Sequence, residues 1–190
     1  MRHSGAIHFA GPPARRDAFK GNIGAWTGNS LPEFIDLRRQ GAGHIVQVSS
    51  IAGLTAFPTL GIYHASKWAV EGFAQSLSQE VAGFGIRVTL VEPGRYATDW
   101  AGSSAVHAER LPAHEALHEA IAAAYADTLP PGDAADTRDA ILRIVDAEEP
   151  PLRVFLGEGP LQMITSDYTA RLAQWAEWDD IIRAATQRTV

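Results

Sequence analysis

"GIYHASKWAVEGFAQSLSQEVAGFGIRVTLVEPG", residues 61–94, changes its apolar period once, and that change decides the architecture. Val70, Phe73, Leu77 and Val81 recur three or four residues apart, which predicts an amphipathic helix from about Ile62 to Ala82. "GFG" stops it, and Ile86-Arg87-Val88-Thr89-Leu90-Val91 is a β-branched strand that "EPG" ends abruptly. Upstream, "GAG" closes a shorter helix ("PEFIDLRRQ", Pro32 in its first turn), and His44-Ile45-Val46-Gln47-Val48 forms another strand. Strand, helix, strand implies a crossover between parallel neighbours.

Working outward, the alternation continues. A loop from Arg95 to Pro112 leads to an Ala-rich helix ending near Asp127, and "LPPGD" leads to a helix over Thr137–Asp146. "EEPP" then turns the chain into a strand over Leu152–Leu156, before a last amphipathic helix near Asp167–Ala184. The predicted fold is α/β: a Rossmann-like three-layer arrangement with a mostly parallel sheet covered on both faces. Residues 1–40 are less orderly, with one short candidate strand at 6–9 and glycines at 21, 24 and 28. The chain reads as a single domain: a degenerate N-terminal segment (1–40), a core (41–100), a loop and helical region (101–150), and the last strand and helix (151–190).

Length and charge narrow the function classes. One hundred and ninety residues suffice for one buried core. A net charge of −6 with scattered arginines argues against a nucleic-acid surface. No apolar run approaches the roughly 18–20 residues that span a bilayer, and the first 25 residues hold no secretory h-region. The chain has no cysteine, which excludes disulfides and thiolate metal sites and fits a reducing compartment. A cytoplasmic address is expected.

One of the chain's two lysines, Lys67, follows Tyr63 by four residues, so both lie on one helix face. A phenol with a pKa near 10 is a poor base at neutral pH, and a nearby ammonium favours the phenolate. The pair is a candidate general acid/base. Ser50, thirteen residues before Tyr63, ends a strand on the side where open α/β sheets hold ligands.

"GHIVQVSSIAG", "YHASK" and "VEPGRYAT" stand in order and at the separations of the short-chain dehydrogenase/reductase family, which the chain resembles over roughly residues 30–190, most strongly 43–98. The resemblance implies reversible NAD- or NADP-dependent hydride transfer on a small-molecule alcohol or carbonyl substrate. It casts Tyr63 as acid/base, Ser50 as the partner of the substrate oxygen, and Lys67 as the group that lowers the Tyr63 pKa and binds the nicotinamide ribose. Pro93 and Gly94 would lie against the nicotinamide, Thr98 would bond its carboxamide, and Asn22 is the weaker counterpart of the family's relay asparagine. A homo-oligomer is implied, with Val70, Phe73 and Leu77 divided between core and interface. The family opens with a strand, a Gly-rich turn and a helix that grip the pyrophosphate. Here the nearest match, "GAWTGNS" at 24–30, stands too close to Ser50 to be that turn. The alternative is therefore a catalytically incompetent remnant of the family that acts only in packing or oligomerisation.

"HEALH", residues 114–118, matches the H-E-x-x-H zinc motif, but it has no extension and no compelling third ligand, so no metal is expected. Trp175 and Trp178, three apart on the last helix, read as core or subunit packing.

Overall fold

The computed structural model describes residues 31–99, 110–126 and 130–185. Asn22, the candidate strand at 6–9 and "GAWTGNS" lie outside the described residues.

Helix α1 (Leu31–Gln40) precedes strand β1 (Gly43–Val48), and α2 (Gly61–Val81) crosses to β2 (Ile86–Pro93). Helices α3 (Glu115–Ala126) and α4 (Thr137–Asp146) lead to β3 (Arg153–Leu156), followed by α5 (Pro160–Glu177) and α6 (Asp179–Ala184). The three strands form one parallel sheet in the order β1-β2-β3, with Gly43 opposite Ile86 and Val48 opposite Val91. β3 continues the sheet from Leu90↔Arg153 to Pro93↔Leu156. The expected α/β architecture is the one observed.

Alternation along β2 builds two cores. Ile86, Val88 and Leu90 face α2, where Val70, Ala74 and Val81 pack on them. Val91, with Val46 and Leu156, faces Ile144 of α4 on the opposite side. Burial on both faces is why β2 lacks a polar edge pattern, its one exposed residue being Arg87. The loop at residues 82–85 needs its last glycine: Gly85 has φ +70, and a Cβ there would strike the Gly41 carbonyl oxygen.

Two expectations need correction. The buried stripe of α2 keeps Val70, Leu77 and Val81 but takes Ala74 in place of Phe73, which is 41% exposed. The last helix begins at Pro160, earlier than expected, because Gly159 (φ 93) turns the chain and the fixed φ of Pro160 suits a first helical turn. It breaks at Trp178. Trp175 and Trp178 are more than half exposed, so neither belongs to the core of this chain. Among the described residues no helix is long and apolar enough to cross a membrane.

Leu90 is fully buried at the centre of the α2 face. Leu90→Ala is expected to cost about 2–5 kcal/mol, read as a lower urea midpoint with an unchanged slope.

Candidate active site

Parallel pairing sets the location. Because β1 and β2 end side by side, the segments that follow them emerge at one edge of the sheet: Ser49-Ser50 after Val48, and Gly94 after Pro93. The Ser49 N–H still bonds the Val91 carbonyl at 2.8 Å, and the Gly94 N–H bonds the Leu156 carbonyl at 2.9 Å. The structure thus brings Ser50, Pro93 and Gly94 to the carboxyl edge. Gly94 is pressed against Pro160, whose Cγ would lie 2.7 Å from an added Cβ. Thr98 is exposed beyond it, its N–H bonded to the Tyr96 carbonyl at 2.9 Å.

Ser50 caps the short turn Ile51–Gly53. Its Oγ accepts the Ala52 N–H at 3.2 Å, and its side chain also hydrogen-bonds Tyr63. Burial pushes the Tyr63 phenol above its ordinary range, and the Ser50 bond pulls it back.

Lys67 is only 7% exposed, with its Nζ 5.9 Å from the centre of the Tyr63 ring. Burial lowers the Lys67 pKa and the Glu71 carboxylate partly restores it. In this structure burial, not the ammonium, dominates the Tyr63 titration.

His64, which no spacing singles out, is buried and holds the loop between Ser50 and Tyr63. Its Nε2 accepts the Phe57 N–H at 2.8 Å. That nitrogen therefore carries no hydrogen, and Nδ1–H donates to the Ala52 carbonyl, also at 2.8 Å. One imidazole thereby ties both ends of residues 52–57 to the helix that carries Tyr63. A histidine one residue after the tyrosine, facing a Gly/Thr/Pro loop, was the only signal available.

Two residues of the "HEALH" motif face solvent. His114 and Glu115 are exposed, and Glu115 pairs with Arg110 at 3.6 Å. No group of three metal-ligating side chains converges among the described residues.

Parallel strands joined by a crossover helix and covered on both faces define a Rossmann-like α/β fold. Residues 24–108 match the short chain dehydrogenase family, and the chain belongs to that family. It is 35% identical to the oxidoreductase BOA17 of Botryotinia fuckeliana over 155 residues, 78% of this chain and 55% of that protein. A short-chain dehydrogenase from Streptomyces avermitilis superposes with a TM-score of 0.76 at 30% identity, covering 90% of this chain and 62% of its own. A short chain dehydrogenase from Burkholderia cenocepacia, solved with NADP, shares the fold: TM-score 0.59 at 20% identity, covering 84% of this chain and 56% of its own. The chain spans about half the length of the curated relatives it matches.

Removing the imidazole strands a buried N–H and carbonyl. His64→Ala is expected to cost about 2–3 kcal/mol and to accelerate hydrogen exchange at the Phe57 amide by at least tenfold. Unchanged exchange at Phe57 would show that the histidine does not hold the loop.

Proposed function

We propose that the chain carries out NAD- or NADP-dependent interconversion of a small alcohol and its carbonyl, with Tyr63 as the acid/base. The observation that carries this reading is the convergence of Ser50, Pro93 and Gly94 at the carboxyl edge of the sheet, where the crossover helix bearing Tyr63 starts, with Lys67 buried beside the Tyr63 ring. In the reducing direction Tyr63 gives its phenolic proton to the substrate oxygen, while Ser50 orients that oxygen as a second donor. In the oxidising direction the phenolate takes the proton from the alcohol.

The bound dinucleotide would accept or supply the hydride at its nicotinamide C4. The described residues suit the nicotinamide end of such a cofactor. Lys67 offers an ammonium for ribose hydroxyls, Pro93 and Gly94 offer a flat surface, and the exposed Thr98 offers a hydroxyl. Asn22 enters only as a candidate relay residue. A glycine-rich phosphate turn is not found among the described residues. Cofactor affinity is therefore the measurement on which the reading stands or falls. A homo-oligomer and a cytoplasmic, reducing location complete the proposal. The many exposed apolar side chains of α5 and α6, such as Leu172, Trp175, Trp178 and Ile182, favour the first, and the absence of cysteine the second.

Titration with NADH and NADPH, followed by nicotinamide fluorescence, is expected to give micromolar binding of at least one. Tyr63→Phe should keep that affinity and lower kcat on a carbonyl substrate by about 10²–10⁴-fold. No binding up to millimolar cofactor would instead favour a packing or oligomerisation role for the chain.

A further inference from the structure

Beneath the tyrosine and lysine lies a second cluster of charge that the proposed chemistry does not use. Glu92 is fully buried on β2 and takes the place in the alternation after Ile86, Val88 and Leu90, facing α2 where an apolar residue would be expected. Across from it on α2, Glu71 is 4% exposed, one turn beyond Lys67. From β3, Arg153 Nε reaches Glu71 Oε2 at 2.9 Å, and another guanidinium nitrogen donates to Gln75 Oε1 at 2.9 Å. Glu92 Oε1 is left at 3.5 Å from the same Nε.

The donors run out there. Among the described residues, neither oxygen of Glu92 nor Oε1 of Glu71 meets any hydrogen-bond donor. A fully buried carboxylate with no donor is among the costlier arrangements a protein can hold. Two carboxyl groups can bond each other only if one is protonated, and these two converge on the same Arg153 Nε. Burial and the neighbouring Glu71 charge push Glu92 up to about 8, against the pull of Arg153.

Every element packed on the pair contributes to its environment. Lys67 and Gln75 come from α2, Arg153 from β3, and Gly53 from the turn after Ser50, its backbone against the Glu71 side chain. His64, also on α2, is committed to backbone partners through both ring nitrogens.

We propose that Glu71 and Glu92 form an acid pair holding one shared proton at neutral pH, and that loss of this proton is felt at Lys67 through Glu71. Both glutamates are positioning residues: they act on the lysine and, through it, on the phenol. At neutral pH Glu92 is the neutral donor and a Glu71 oxygen the acceptor. Once the proton leaves, the pair that includes Glu71, the carboxylate acting on Lys67, gains a second negative charge, and the ammonium is held more firmly. The effect on turnover rests on the reading of Tyr63 as acid/base. The proton count does not, and it can be measured without cofactor or substrate.

The chain's two lysines make the test direct. In Lys20→Arg protein labelled with 13C-lysine, Lys67 is the single labelled side chain, and its ε-CH2 resonance can be followed from pH 6 to 11. The expected curve has an inflection near pH 8 before the lysine itself titrates. Glu92→Gln, whose amide can still donate to Glu71, should abolish that inflection. Glu71→Gln, which removes both the repulsion and the acceptor, should move it to lower pH.

Stability supplies a second readout. A carboxyl raised in the folded state contributes stability fully below its ordinary range of about 4.5, and loses it as pH rises through about 8. The Glu92 contribution to the urea midpoint should therefore fall between pH 5 and pH 8, and Glu92→Gln should remove that part of the decline. A Lys67 curve without an inflection between pH 7 and 9 in the otherwise wild-type chain overturns the proposal, whether or not the variants fold. So does an inflection that survives Glu92→Gln.

Discussion

β1 and β2 run parallel through six residue pairs, and that pairing constrains nearly everything else in the site. Parallel neighbours cannot be joined by a tight turn, so the chain must cross back along one face of the sheet. The twenty-one-residue helix α2 makes that crossing. Both strands consequently deliver their following loops to the same edge, and the crossover helix starts there. Ser50 arrives from one strand, Pro93 and Gly94 from the next, and Tyr63 and Lys67 from the first turns of the connection. A reactive constellation at that edge is a geometric consequence of the topology. It also explains why a short stretch of chain carries most of the chemistry.

The opposite faces do different work. On the α4 side the contacts are aliphatic, with Ile144 and its neighbours against Val46, Val91 and Leu156. On the α2 side the aliphatic core stops at Leu90, and the next inward position of β2 is a glutamate. The sheet is thus apolar where it needs only cohesion and charged where it approaches the carboxyl edge. Arg153 joins the two regimes: it stands on β3, and its guanidinium spans to α2 and β2.

How much of this could be read in advance depended on sequence distance. Ser50, Tyr63 and Lys67 are legible because the helix period and the strand end fix their relations over a short interval. The α2–β2 boundary is legible because two glycines mark it. Glu71 and Arg153 are eighty-two residues apart and meet only because β3 adds beside β2. No local period encodes that meeting. Glu92 did carry a signal, an acidic residue at an inward position of a buried strand, but "EPG" reads more readily as the strand's terminator. His64 was hidden for a different reason: imidazole serves as donor and acceptor at once, and the loop it ties has no pattern of its own. The exposed tryptophans of the last helix show the limit of amphipathic spacing, which finds a face but not what covers it.

Gly53 supplies a last consequence. A Cβ there would meet Glu71 Cγ at 2.7 Å and the Lys67 carbonyl oxygen at 3.1 Å. The space a side chain would fill at position 53 is already occupied by the glutamate. The two positions therefore cannot drift independently. Among relatives with this backbone, a bulkier residue after the serine should accompany a shorter one on the helix, and an inherited glutamate should carry the glycine with it. Substitution patterns at this pair would record whether a lineage kept the charged layer under the tyrosine or filled it with hydrocarbon.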